Sequence, residues 1–268
     1  MIPAIIGLVI IGIGGLLVLQ RRKAQDKLLE IKSTQTSTAK DLTDMCRTIS
    51  EELGTKGGFK QQSEVKGFVK CDQPLTSELA KQPCVYYTMS VEERYEETYM
   101  EKDAQGTMQR KTRTGTTTVV SNSQRVHFQV EDETGRITIN PNSANIDPVQ
   151  VISKYEPYAN RSSISFGAFT FQIPSRSGDR HILGYQFTES LIPLNRRAFV
   201  LGEASDSSGE LMIQASSEKG KPFIITLKSE EELTKATESS IAMLFYGAVA
   251  CFAIGAGLIG YGIMNWGK

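Results

Sequence analysis

The sequence contains only two histidines and four cysteines, and none of them recurs at the spacing of a metal site. It also has no C-x-x-C, H-E-x-x-H, P-loop or G-x-S-x-G motif, so it lacks the short patterns that bind zinc or phosphate or form a serine nucleophile. His127 and His181 lie in predicted strands, where an isolated histidine is more often structural than catalytic. The sequence therefore predicts no catalytic residue, no metal ligand and no cofactor, although residues far apart in sequence can still meet in a fold.

An excess of charge of either sign is also lacking. The 30 lysines and arginines balance the 30 aspartates and glutamates, which argues against a nucleic-acid-binding surface. Cys46, Cys71 and Cys84 lie between the apolar ends of the chain, and Cys251 lies within the second of these ends. An odd number of cysteines without a close pair is a poor disulfide framework and is typical of a reducing compartment.

Two long apolar segments, 2–19 and 241–264, carry no charged residue. Each has about 18 or more residues, and a helix of that length, rising ~1.5 Å per residue, spans most or all of a ~30 Å hydrocarbon core. The sequence thus predicts an integral membrane protein with two spans. Basic residues follow the first segment rather than precede it, which is typical of an uncleaved anchor and not of a secretory signal. Neither segment has the ionisable groups that a channel or transporter needs at depth.

Basic residues cluster on the inner flanks of both apolar segments, where they favour retention on the cytoplasmic side. The far side offers only Lys268 and the amino terminus. We therefore predict that the central domain is cytoplasmic, at a bacterial inner membrane or a thylakoid membrane. The residues of the inner flanks are Arg21, Arg22, Lys23, Lys27, Lys228 and Lys235.

Glycine and alanine are frequent in both apolar segments. Small residues let membrane helices approach closely, so we expect some of them to pack the two helices together or against a second copy of the chain. The alternative is that glycine is simply more common in membrane helices than in soluble ones. The residues predicted to pack are Gly7, Gly14, Ala253, Ala256, Gly257 and Gly260.

The region between the apolar segments begins with a helical pattern. Apolar residues recur at helical spacing over 39–53, after a Thr38 and Asp41 helix start and before Gly54. Acidic side chains on this segment disfavour binding to anionic lipid, so we expect an amphipathic helix packed on the domain. Ser229, with Glu232 three residues later, predicts the start of another helix, which continues into the second span.

From residue 59 the period of the apolar residues falls to two, which is typical of strands. Many short strands without alternating helices predict a mainly β fold, an antiparallel barrel or sandwich, flanked by two transmembrane helices. Strands are expected at 65–71, 85–91, 126–130, 137–139, 149–155, 164–172, 181–189, 197–203, 211–215 and 223–227. The predicted division of the chain is a first transmembrane helix at 1–22, a juxtamembrane helix and linker at 23–58, the β-domain at 59–228, and a helix continuing into the second transmembrane helix at 229–268.

Residues 92–123 contain almost no aliphatic side chain. An acidic run faces a later basic run across a turn near Gly106, which predicts a long solvated hairpin supported by weak cross-strand charge pairs. Such a hairpin either is exposed to solvent without a binding role, which is the commoner case for a charged face, or binds a partner. The candidate partner-binding residues are Glu92, Glu93, Glu96, Glu97, Arg110, Lys111 and Arg113.

Between the two apolar segments the chain contains the short segments 83–87, 92–93, 128–132, 191–193 and 199–203, with Gly135 after the third. In these segments the chain resembles the GIDE domain, also called the beside-a-membrane domain, and the resemblance extends over about 64–264. The family is best known from membrane-bound ubiquitin ligases of mitochondrial and chloroplast outer envelopes. In these ligases two spans flank the domain and a zinc-binding RING finger follows the second span, whereas prokaryotic relatives carry the domain without the RING finger.

The resemblance implies that the β-domain engages a membrane-protein partner. The segment 265–268 after the second span has no RING ligands, so we expect a prokaryotic-type member, for example a cyanobacterial one, that is a non-catalytic, membrane-anchored interaction or scaffold protein. The alternatives are an E3 ubiquitin ligase by family label, whose activity the absent zinc ligands put in doubt, and an unrecognised membrane-bound hydrolase. The expected partners are the lipid bilayer, another membrane protein and a second copy of the chain, but not nucleic acid.

Overall fold

The longest elements of the chain are two helices at its ends. A computed structural model describes residues 2–103, 106–158, 163–166, 169–172 and 180–264. Helix α1 spans Ile2–Ser33 and helix α3 spans Glu230–Met264, and both are long and apolar enough to cross a membrane. Each continues without a break from its apolar segment into the polar sequence beside the β-domain, as predicted. The last four residues of the helix predicted at 229–268 lie outside the described residues.

Helix α2 spans Ala39–Leu53 and has a complete capping box. The Thr38 hydroxyl accepts a hydrogen bond from the backbone amide of Asp41, and the Asp41 carboxylate accepts a hydrogen bond from the backbone amide of Thr38. These bonds satisfy two amides at the helix start that lack partners within the helix. Gly54 ends the helix in the left-handed conformation, with φ at 65°. Leu42 is fully buried in the core of the β-domain, which confirms that the helix packs on that domain.

Strands fill most of the described region between α2 and α3, and each predicted strand overlaps an observed one, although 71, 126–127, 211, 215, 223 and 227 lie just outside the strands. One position differs in detail, because 164–172 contains two short strands that pair with each other, with 167–168 outside the described residues. Two further strands of two or three residues, β2 and β7, are too short to show a period. The strands are β1 (Lys60–Lys70), β2 (Leu75–Thr76), β3 (Pro83–Lys102), β4 (Met108–Arg125), β5 (Phe128–Glu131), β6 (Arg136–Ile139), β7 (Asn145–Asp147), β8 (Val149–Pro157), β9 (Ser163–Phe166), β10 (Phe169–Gln172), β11 (Arg180–Pro193), β12 (Arg197–Ser205), β13 (Met212–Gln214) and β14 (Ile224–Thr226).

Five of these strands close a barrel. Around the barrel β1 pairs with β5, β5 with β6, β6 with β13, β13 with β12, and β12 with β1 again. Strand β1 reaches both neighbours beside Gly67, where an added Cβ would lie 2.3 Å from the carbonyl oxygen of Glu131. A five-stranded Greek-key barrel is also the architecture of the OB-fold. The barrel core includes Val65, Val130, Ile139, Val200 and Ile213.

The predicted mainly β fold with antiparallel pairing is confirmed, with one addition at the barrel closure. Strands β6 and β13 pair in parallel, as do β7 and β14. A closed ring with an odd number of strands cannot alternate in direction all the way round, so one parallel pair is required. This parallel pair is formed by β6 and β13. Strand β6 runs antiparallel to β5, and β13 runs antiparallel to β12.

A second sheet is built from the two long insertions between barrel strands. Strand β11 pairs with β3 on one side and with β8 on the other. On its far side β3 pairs with β2 and then with β4, all antiparallel. One face of this sheet is buried, and its core includes Tyr87, Met89, Phe187 and Leu191.

The two long helices meet the barrel at an apolar junction. Ile31 near the end of α1 and Leu233 near the start of α3 pack with Phe199, Leu201 and Ile224 of the barrel side strands β12 and β14. All five side chains are buried. The helices therefore leave the β-domain side by side from one place on its surface.

Candidate partner-binding surfaces

The charged hairpin is formed by β3 and β4, which pair along 86–102 and 108–125. Gly106 in its turn has φ at 83°, a left-handed conformation that glycine adopts without strain. Residues 104–105 of the turn lie outside the described part of the chain. The predicted hairpin is confirmed, and its paired region extends beyond 92–123 at the barrel end.

One face of the hairpin carries a network of ion pairs. Arg113 Nη2 lies 2.9 Å from one carboxylate oxygen of Glu97, and Arg180 Nε on β11 lies 3.4 Å from the other. The hydrogen bond from Arg113 lowers the pKa of Glu97, and Arg180 adds to this effect. Nearer the tip, Lys111 Nζ lies 2.5 Å from the Glu101 carboxylate. Because exposed ion pairs add little free energy, the network orients these side chains only weakly.

Two tyrosines belong to the same face of the hairpin. The Arg180 guanidinium lies 4.4 Å from the ring centre of Tyr95, and the Arg113 guanidinium lies 5.4 Å from that of Tyr99. Both distances are within the range of cation–π attraction. Gly115 lies across from Tyr95, and a Cβ there would be 2.7 Å from the ring. This face of the hairpin therefore carries aromatic rings and charged side chains that contact one another.

The opposite face of the hairpin is partly apolar near the tip. Met100 lies across from Arg110, and Met108 lies across from Lys102. Because side chains alternate between the faces of a strand, these four side chains share one face. Met100 is 56% exposed and Met108 is 51% exposed. We call the group formed by Met100, Met108 and Arg110 the tip patch.

Glu93 at the base of the hairpin is not solvated. It is 1% exposed and accepts a hydrogen bond of 3.2 Å from the Tyr185 hydroxyl. The prediction of a hairpin solvated throughout 92–123 is wrong at this position, because β3 lies between β4 and β11 in the sheet and its base belongs to the buried face.

The candidate hairpin residues are only partly brought together. Glu97 and Arg113 are in contact. Glu92 and Glu96 alternate with them and lie half-buried on the other face of β3. Sequence analysis missed Arg180, which binds Glu97 from 83 residues further along the chain. The sequence carries no signal for this contact, because it depends on the register between β3 and β11.

The two long helices pack through small residues. A Cβ added at Gly7 would lie 2.7 Å from the carbonyl oxygen of Gly255, and one added at Gly14 would lie 3.1 Å from the ring of Phe252. The predicted packing residues Gly7 and Gly14 are thus placed at the contact between α1 and α3.

The other four predicted packing residues lie away from α1. An added Cβ at Gly257 or Gly260 would meet no atom of the described residues within 4 Å. Ala253 and Ala256 are exposed on the same helix. These residues leave a surface of small side chains on α3 that α1 does not cover.

A seven-residue repeat identifies the inner face instead. Gly7 and Gly14 are buried on α1, and Ala248, Gly255 and Gly262 are buried on α3. A repeat of seven is typical of helices that cross at a shallow angle with a left-handed twist. A search for small residues four apart misses this signal.

Buried polar groups in the second sheet support the backbone. The fully buried Glu189 carboxylate accepts hydrogen bonds from the backbone amides of Leu79, at 2.8 Å, and Ala80, at 2.7 Å. Burial, with Glu189 nearby, raises the pKa of the Cys84 thiol to about 11. Such a thiol is protonated at neutral pH and is a poor nucleophile. Among the described residues, no group of three or more His, Cys, Asp or Glu side chains is placed to hold a metal ion.

Comparison with known families is consistent with this architecture. The model of the GIDE family, described as E3 ubiquitin ligase, matches residues 96–260. The match includes the ion-pair network of the hairpin, barrel strands β5, β6, β12 and β13, and most of α3. No curated protein and no solved structure matches the chain. Because the match covers more than half of the 268 residues, the chain belongs to the GIDE family.

Proposed function

We propose that this member of the GIDE family is a membrane-anchored, non-catalytic interaction protein, whose hairpin of β3 and β4 binds another membrane protein. The observation that carries the proposal is the difference between the two faces of the hairpin. One face carries the Glu97, Arg113 and Arg180 network. The other presents the tip patch to solvent.

The composition of the tip patch fits a binding surface. Methionine and arginine are enriched at the centres of protein interfaces. Methionine is also flexible and polarizable, so it adapts to an irregular apolar partner surface. Because β3 and β4 are paired up to Lys102 and Met108, the backbone of the hairpin is already ordered and little conformational entropy is lost when a partner binds to it. The partner chemistry that suits the patch is an apolar surface with a carboxylate placed to meet Arg110.

The helices supply the membrane part of the proposal. α1 and α3 pack side by side and leave the β-domain at one junction. A domain tethered in this way stays close to the bilayer, which raises its effective concentration near other membrane proteins. The basic inner flanks support a cytoplasmic domain at a bacterial inner or thylakoid membrane. Protease added outside intact cells should leave the β-domain uncut, and digestion would contradict this orientation.

The hairpin is tested by a double variant, Met100→Ser with Met108→Ser. We expect cross-linking in cells followed by affinity purification to recover about tenfold less partner, since two central contacts are lost. Phe68→Ser is the matched control, because Phe68 is also 51% exposed but lies on β1, away from the hairpin. Circular dichroism verifies that each variant folds. Equal recovery from the double variant and the control would contradict the proposal.

The alternative function is that of an E3 ubiquitin ligase, which the description of the matching family favours. A RING-type ligase holds two zinc ions through cysteine and histidine ligands, and the described residues contain no such group. Purified chain incubated with ubiquitin and its activating and conjugating enzymes distinguishes the two functions. Ubiquitin transfer that depends on this chain would favour the ligase and contradict the non-catalytic proposal.

A further inference from the structure

The apolar part of α3 extends further toward the β-domain than the apolar part of α1. Gly7 lies against Gly255, Gly14 lies against Phe252, and Leu17 lies 3.4 Å from the Cβ position of Gly247. In this antiparallel register the basic residues 21–23 of α1 lie at the level of about 241–245 of α3, where α3 is still apolar. Cations beside an apolar helix surface belong at the depth of the lipid head groups.

A groove lies between the two helices at this level. It has a volume of about 580 Å³. At its membrane end the Arg21 guanidinium lies 4.9 Å from the ring centre of Phe245. Arg21 Nε is buried and donates to no acceptor in the described part of the chain. The apolar lining of the groove consists of Leu28, Leu29, Ile241, Ala242, Phe245 and Tyr246.

We propose that the membrane end of this groove binds an anionic phospholipid, with the phosphate on Arg21, the glycerol backbone beside Phe245 and Tyr246, and the acyl chains running from there toward the membrane. The inference rests on the two-span placement in the proposed function. A phosphate oxygen supplies the acceptor that Arg21 Nε lacks, and guanidinium binds phosphate through two parallel hydrogen bonds. Arg22 and Lys23 are exposed beside it and add to the positive potential.

The carboxylates of the groove define the charge of the lipid. Glu238 lies at the far end and is paired with Lys32 at 2.7 Å. Asp26 also lines the groove, five residues beyond Arg21, or ~7.5 Å further from the membrane along the helix. A second phosphate reaching away from the membrane would approach Asp26 and be repelled. The groove therefore favours a head group with one negative charge, such as phosphatidylglycerol, over a polyphosphorylated one.

The inference is tested with the full chain in nanodiscs that contain phosphatidylcholine alone or mixed with phosphatidylglycerol. Native mass spectrometry after release from the discs measures which lipid is retained. We expect retention of phosphatidylglycerol over phosphatidylcholine, and Arg21→Gln should reduce this preference about fivefold or more. Lys23→Gln is the matched control, since it removes one charge from the same helix turn but Lys23 does not line the groove. Equal losses in the two variants would mean general surface attraction and would overturn the site.

A second variant tests the geometry of the groove. Phe245→Leu keeps an apolar side chain but removes the ring that holds the Arg21 guanidinium, so the preference for phosphatidylglycerol should fall although no charge changes. An unchanged preference would overturn the assigned role of Phe245 and Arg21. The two proposals are separable here: failure of the wild-type chain to insert into either disc contradicts the membrane placement, whereas insertion without preference contradicts the lipid site alone.

Discussion

The Lys66 ammonium of β1 lies 2.7 Å from the Glu230 carboxylate in the first turn of α3, so one ion pair links the barrel to a helix that continues into an apolar segment. Lys66 also lies 2.8 Å from Glu64, whose side chain is 1% exposed. Desolvation lowers the pKa of Lys66, but the hydrogen bonds to Glu230 and Glu64 outweigh it and raise this pKa. The Thr36 hydroxyl donates a further hydrogen bond to Glu64.

Lys66→Met should destabilise the domain more than Glu230→Gln does. The first change leaves the buried Glu64 without its cation, which costs about 3 kcal/mol, whereas the second removes an ion pair that is partly exposed and is worth ~1 kcal/mol or less. Urea unfolding of the detergent-solubilised chain measures both free energies. Glu64→Gln combined with Lys66→Met should recover part of the loss, and equal losses in the two single variants would contradict this account.

Gly7→Leu should weaken the packing of α1 on α3. The new side chain would begin 2.7 Å from the Gly255 carbonyl oxygen, so the helices must separate, at a cost of about 2 kcal/mol. The matched control is Gly12→Leu on the same helix, where an added Cβ meets no described atom within 4 Å. Thermal unfolding in detergent should show a lower midpoint for the first variant only. The same midpoint for both variants would show that the helices do not pack through this face.

Gly67→Ala should open the barrel between β1 and β5. The new methyl group would lie 2.3 Å from the Glu131 carbonyl oxygen, which is backbone and cannot turn away, so we expect a loss of about 2 kcal/mol or more. Gly135→Ala is the comparison within the same sheet region, since its Cβ would meet Ala39 at an ordinary 3.7 Å. Hydrogen exchange should show faster exchange at Phe68 and Lys70 in the first variant, because the Val69 amide bonds to Arg196 on the other side of β1 and the amides on either side of it face β5. Unchanged protection there would contradict the tight approach.

The elements of this fold could be predicted because each rests on local chemistry. The capping box of Thr38 and Asp41 and the left-handed Gly54 define α2 within a few residues of sequence. The period-two pattern locates the strands in the same way. Barrel closure could not be predicted, because it depends on β1 pairing with β12, which brings together residues as far apart as Lys60 and Ser205.

The candidate site could be predicted only where its contacts are local. Glu97 and Arg113 face each other across one hairpin, so the charge pattern was sufficient to find them. Arg180 comes from a distant strand, and burial of Glu93 follows from the sheet that this strand completes. Long-range register is therefore what a single sequence does not specify.

Asp206 makes the unfolding free energy of the β-domain depend on pH. Its carboxylate accepts the backbone amides of Gly57 at 2.7 Å and Phe59 at 2.9 Å, and the residue is 3% exposed. Burial alone would raise the pKa of this carboxyl, but the hydrogen bonds it accepts, first those from the two amides, together outweigh burial and hold the pKa below its usual value. A lowered pKa in the folded state means that the charged form stabilises the fold. This contribution is complete above the unfolded pKa of about 4 and is lost as the pH falls through the lower folded value.

Asp206→Asn should therefore cost about 2 kcal/mol at pH 7, because charge-assisted bonds to two buried amides are lost. The difference in unfolding free energy between wild type and variant should shrink as the pH is lowered below about 4, because the carboxyl of the unfolded chain takes up a proton there while the folded one stays charged until its lower pKa is reached. Asp72→Asn is the control, since Asp72 is exposed on the loop after β1, and it should change stability by less than ~0.5 kcal/mol. Urea unfolding between pH 7 and pH 3 makes the comparison. A difference that stays constant over this range would show that Asp206 stabilises the fold by packing alone and not through its charge.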